Sequence, residues 1–196
     1  MVKSIEDLIK GFQELINFLK KGWNEMKKVI DEAFQITEIE FKEFRRKKRV
    51  ELFSTIKGKP INLKLLKKLQ KEFENIGGAL LHNDESFEYI ASREKIEGVD
   101  IEAITFNEEL ILLNKNATTS AVYEELIHAT QYRTGKYDAW VTKHGNEIAK
   151  NLMEKEAAEE LIERAAEWKL PKEEIKLIKE RLEFFNEELK ILGYEN

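Results

Sequence analysis

The chain has 196 residues, 36% of them charged, a net charge of −5 and no cysteine. That length supports one domain with an appendage, and a core that needs no covalent staples. The lack of cysteine excludes disulfides, thiolate metal sites and a cysteine nucleophile, so any metal must be held by His, Asp or Glu. The negative balance argues against general nucleic-acid affinity. Many Lys, Glu and Ile beside only 9 Gly and 2 Pro favour long helices and lean toward a heat-adapted protein.

Ser4 followed by Asp7 opens a helix in the manner of a capping box, and Ile5, Leu8, Ile9, Phe12, Leu15, Ile16, Leu19 and Trp23 recur at helical spacing. A second stretch carries Met26, Val29, Ile30, Ala33 and Phe34, and continues through Ile36, Ile39, Phe41 and Phe44 into the basic run Arg45-Arg46-Lys47-Lys48-Arg49. Residues 1–57 thus read as an N-terminal amphipathic helical region. The five cations are either a solvated helix end or a patch for nucleic acid, an anionic membrane or an acidic partner. No apolar run is long enough to span a bilayer, which takes about 18 residues. Glu6, Asp7 and Lys10 interrupt any signal-peptide core. The expectation is a cytoplasmic protein, with export by a non-classical route left open.

Gly58-Lys59-Pro60 breaks the pattern and opens a second domain, 58–196. Asn62 is placed to cap a helix from Leu63 to Asn75, which Gly77-Gly78 ends. Ala79–His82 reads as a short strand, and Asp84 starts a small helix with Phe87, Tyr89 and Ile90. Residues 101–106 and 110–113 flank Asn107-Glu108-Glu109 as a hairpin. Asn116 to Ser120 is rich in N-cap residues and leads a helix that stops near Gly135. A loop from Lys136 to Gly145 follows, then a long helix from Glu147 to Trp168. Pro171 marks the start of a last helix ending at Gly193. The fold class is α+β, mostly helical, with a small sheet. Trp23, Trp140 and Trp168 read as packing residues.

Chemistry concentrates at residues 123–131, Tyr-Glu-Glu-Leu-Ile-His-Ala-Thr-Gln. At 100° per residue, Val122, Tyr123, Leu126 and Ile127 share one side of this helix, and Glu124, Glu125, His128 and Gln131 the other. That second side is either the wet face of an amphipathic helix or a metal face with two ligands one turn apart. On the long helix, the apolar stripe Ala158, Leu161, Ala165, Trp168 extends back through Glu154, whereas Glu156, Glu160, Glu163 and Glu167 share the solvent side. A carboxylate on a buried stripe needs a salt bridge or a metal. The combined reading takes Glu124, His128 and Glu154 as ligands and Glu125 as the base that deprotonates a bound water. Zinc (Zn2+) is expected, with manganese or iron as alternatives, because two carboxylates and one imidazole are a hard donor set. His82 reads as structural and His144 as a surface residue.

The segments Leu110–Leu113, Asn116-Ala117-Thr118, Val122–Gln131 and Glu154-Lys155-Glu156-Ala157-Ala158 together resemble the zincin-like metallopeptidase domains of bacterial polymorphic toxins and phage-encoded toxin proteins. The likeness covers roughly residues 59–192. It implies a zincin-like domain with a strand before the active-site helix, near Leu110–Leu113, whose sheet edge pairs with substrate. It also implies Glu125 as base, His128 as ligand and Glu154 as the ligand from a Glu-x-Glu-Ala helix. The departure is Glu124, where most zincins place histidine. Implied partners are a peptide or protein substrate and an inhibitor or immunity protein, in the setting of a mobile element. Two other classes stay open: a non-catalytic zincin-like scaffold acting through its N-terminal helices and basic run, and a di-iron helical protein. The latter needs a second Glu-x-x-His, which the chain lacks.

Overall fold

A computed structural model describes residues 58–83, 87 and 101–194. All belong to the compact unit formed by residues 49–196. The expected N-terminal helices, the basic run, Trp23 and the small helix after Asp84 lie outside the described residues, except that Phe87 is helical and buried.

Helix α1 (Leu63–Glu74) starts where Asn62 places it: the Asn62 side chain accepts from Lys64 N at 2.8 Å and Leu65 N at 3.4 Å. Leu66, Leu69 and Phe73 form its buried stripe. Gly77 turns the chain at φ +87°, and Gly78 passes so close to the Phe73 ring that a Cβ there would lie 2.3 Å from it. The chain then enters β1 (Ala79–His82).

Strands β2 (Ala103–Thr105) and β3 (Leu110–Leu113) are antiparallel, with Ile104 opposite Leu112. Asn107 shapes the turn between them, its side chain accepting from Glu109 N and Leu110 N, each at 2.9 Å. β1 joins β3 in parallel, Leu80 opposite Ile111, so the order is β1-β3-β2. Among the described residues Leu110–Leu113 is therefore the central strand, and the edges are Ala79–His82 and Ala103–Thr105. Ile111, Leu112 and Leu113 are fully buried, each such side chain contributing about 1.5–3 kcal/mol.

Helix α2 (Thr119–Arg133) is capped by Thr118 and lies between two apolar clusters. Val122 and Ala129 pack with the sheet and α1. Ile127 packs on the other side with Ala157, Ala158, Leu161 and Ile178. Burial on both sides removes the wet-face alternative for this helix. His128 is 5% exposed and Gln131 2%.

Residues 136–144, expected as a loop, form helix α3 (Lys136–His144) between Gly135 at φ +69° and Gly145 at φ +83°. None of its residues is buried, so it lacks the apolar stripe that marks a helix in sequence. Helix α4 (Asn146–Glu163) ends earlier than expected. Residues 164–169 continue as turns, and Trp168 stacks on Tyr123 with centroids 4.1 Å apart. Pro171 precedes α5 (Lys172–Ile191), which Gly193 ends at φ +74°. α4 and α5 pack together as the last helical pair. No described helix is long and apolar enough to cross a membrane.

Candidate metal centre

Helix α2 presents Glu124 and His128 four residues apart, hence one turn apart on one face. Helix α4 brings Glu154 against them. The donor atoms of Glu124, His128 and Glu154 all lie within 4.8 Å of one another, and His128 Nε2 is 3.6 Å from Glu154 Oε2. The Glu154 side chain is 31% exposed, so it sits at the rim of the α4 stripe, turned into a cleft. His82, near Lys115 O, and His144, edge-on to Tyr194, lie outside this cluster.

Gln131, one turn beyond His128, orders the cluster. Its side-chain amide donates to Met153 O at 3.1 Å and to Glu156 Oε1 at 3.2 Å. Its oxygen is therefore the acceptor, and His128 Nδ1–H donates to it at 2.9 Å. That bond fixes the imidazole with Nε2 directed at Glu154. One amide thus orients the histidine and also grips the α4 backbone next to Glu154. Glu156, expected on the solvent side, is drawn into this arrangement and is further paired with Lys136. Arg181 comes from α5, with Nη1 3.6 Å from Glu124 Oε2.

Burial raises the pKa of Glu124. Arg181 opposes the shift, and Glu154 adds to it. Burial likewise raises Glu125, tempered by His128 and by hydrogen bonding from Thr105. Burial disfavours charge on His128, but the hydrogen bond and charge of Glu154, followed by Glu125 and Glu124, overcome it and push the imidazole up to about 10. The cluster therefore attracts positive charge strongly. A proton and a divalent cation compete for the same Nε2 atom.

The donor set fits a metal. Donors about 2.1 Å from a tetrahedral ion lie roughly 3.4 Å apart. The His128–Glu154 separation of 3.6 Å is already near that value, and no pair of the three donors is more than 4.8 Å apart. The cluster lies in a cleft of about 520 Å³ lined along one side by residues 101–106, which include β2, and along the other by α2, α4 and α5. Glu125 lines the same cleft. Thr105 Oγ1 donates to the main-chain oxygen of Glu125 at 2.8 Å, tying β2 to α2 at that level.

Sequence reasoning named all three donors and Glu125, but gave no role to Gln131, Arg181 or Thr105. Gln131 was within reach, because it lies three residues past His128 on the same face. Arg181 and Thr105 have no local signal, since their partners are distant in sequence. A scan of protein-family models and searches of curated proteins and of solved structures found nothing that matches this chain.

Proposed function

We propose that the chain is a metal-dependent peptidase on a zincin-like domain, with Glu124, His128 and Glu154 as metal ligands and Glu125 as the base. The observation that carries this reading is the convergence of three donor atoms within 4.8 Å, from two helices, in a cleft that the Glu125 carboxylate also lines. Zinc is the first choice of metal, with manganese or iron as alternatives. A metal held there supplies Lewis acidity that polarises the scissile carbonyl and acidifies water. Glu125 takes the proton of that water. A carboxyl raised by burial suits this step, because it also hands the proton on to the departing amine. Gln131 keeps the His128 imidazole in the tautomer whose Nε2 is free to ligate. Among the described residues β2 is an edge strand along the cleft, the place where an extended peptide or protein segment would pair. The toxin resemblance adds an inhibitor or immunity protein as a partner.

A second reading has its own observation. Glu154 with His128, and Glu124 with Arg181, form a linked set of ion pairs across α2, α4 and α5, which could brace a non-catalytic scaffold without metal.

Elemental analysis of untagged full-length protein separates the two. The peptidase reading expects about one zinc per chain, lost in His128→Ala and in Glu154→Ala. It also expects Glu125→Gln to keep the metal while peptide hydrolysis falls roughly 10²–10⁴-fold. A chain that takes up no metal under any loading condition belongs to the second reading.

A further inference from the structure

Five glutamates line the cleft but, among the described residues, only one Lys or Arg does: Arg181. It stands on the cleft-facing stripe of α5, one turn beyond Leu177 and Ile178, which line the cleft as well. Ile178 is 3% exposed and packs with Ile127, Ala157, Ala158 and Leu161, which fixes that stripe against α2 and α4. α5 supplies none of the three donors, yet Arg181 Nη1 lies 3.6 Å from Glu124 Oε2. The two side chains are only 17% and 15% exposed. By contrast the pairs Arg164–Glu160 and Lys176–Glu180 leave their cations 48% and 81% exposed. Exposed pairs are screened by water and contribute little, whereas a pair withdrawn from water acts strongly on its neighbours.

Charge explains why a fixed cation stands beside a cluster that attracts cations. Two carboxylate ligands cancel the charge of a divalent ion. His128, held by Gln131 with its proton on Nδ1, adds none. An ionised Glu125 on the same cleft wall makes the site negative. Such a site holds a metal tightly but weakens it as a Lewis acid. A guanidinium set against one ligand returns a positive charge and, lacking any acceptor, takes up no coordination position.

We propose that Arg181 is a positioning residue that balances the charge of Glu124, exchanging metal affinity for electrophilicity at the site. The proposal rests on the peptidase reading and deepens it. Arg181 acts through the Glu124 carboxylate and touches neither substrate nor metal. Its removal should have two effects of opposite sign: the site holds a cation more tightly and activates it less. A residue that only braced the helices would not produce that combination.

The test compares full-length wild type with Arg181→Met, Arg181→Lys, Glu124→His and the double variant Glu124→His/Arg181→Met. Chelator competition reads zinc affinity. Arg181→Met should bind zinc at least about tenfold more tightly, and Arg181→Lys should stay near wild type. Electrophilicity is read without any peptide, by titrating azide into cobalt-loaded protein and following visible absorption. Azide should bind roughly tenfold more weakly to Arg181→Met than to wild type. The double variant puts a neutral imidazole one turn before His128 and removes the guanidinium, so azide affinity should return toward wild type. If Arg181→Met does not fold, Glu124→His and the double variant carry the comparison, because neither strands a carboxylate. Glu124→His should then hold zinc more weakly and azide more tightly than the double variant, and equality of the two overturns the proposal.

Zinc affinity unchanged or reduced in Arg181→Met overturns it. So does azide affinity equal to wild type, which would make the guanidinium a placeholder that leaves when metal enters. Azide affinity that stays low in the double variant overturns it too, since Arg181 would then be binding the anion itself. Failure of the peptidase reading looks different. Wild type that takes up no metal removes both ideas. A chain that shows the zinc and azide effects but cuts no peptide upholds the charge balance and removes the peptidase alone.

Discussion

The two ends of the cleft solve one problem in different ways. At the α4 end, partly buried carboxylates face cationic side chains, His128 and Arg181. At the α2 N-terminal end, Glu102 and Glu174 face backbone N–H groups. Side-chain cations carry a full charge and can be exchanged for a metal ion. Backbone amides carry partial charges, fixed by the helix, and leave the carboxylate under-compensated. Of the two ends, the first is therefore the one whose side chains could hold a metal ion.

Substitutions at the two ends should shift stability in opposite directions. Arg181→Met strands Glu124, whose side chain is 15% exposed, and should cost about 3 kcal/mol in denaturant unfolding of zinc-free protein. Adding zinc should restore much of the loss, because the ion takes over the role of the guanidinium. A loss that zinc leaves untouched would mean that Arg181 acts through packing alone.

A smaller effect is expected at Gln131. Gln131→Leu preserves bulk but leaves His128 Nδ1 and Met153 O without their partner. Zinc affinity, measured by chelator competition, should fall by about ten- to a hundredfold. Unchanged affinity would remove Gln131 from any role in orienting His128.

The smallest effect belongs to Glu174. Its carboxyl is raised in the fold, so its favourable contribution is present below the ordinary carboxylate range and is lost as pH rises through the raised value. Glu174→Gln has no such dependence. It should match wild type in acid and exceed it at neutral pH by up to about 1 kcal/mol, after allowance for solvent screening. Unfolding curves across pH check this. A variant less stable than wild type at neutral pH would show that capping of Ser120 by the charged form outweighs burial.

Much of the fold was legible because its signals are local. Asn62, Gly77 and Asn107 act within three residues of themselves, and Thr118 caps the helix it precedes. Glu124 and His128 are legible by the same logic, since four-residue spacing fixes a shared face. Glu154 was picked out from a stripe whose lower part, Ala158 and Leu161, is indeed buried. What escaped were partnerships across long stretches of chain. β1 pairs with β3 in parallel across an intervening 27 residues (83–109), and nothing in either strand specifies the other. Glu174 reads as an ordinary acidic residue in the first turn of a helix, yet it is buried against a different helix. α3 escaped for the opposite reason, having no buried residue to betray it.

The position of α3 gives the cluster a mechanical meaning. His128 lies on α2 and Glu154 on α4, and the whole of α3 is looped out between them. In a chain without cysteine, a cation gripping both helices closes that loop as a disulfide would. Unlike a disulfide, such a crosslink would open with a chelator or with acid, so in a metal-loaded chain resistance to unfolding would be set by metal supply and pH.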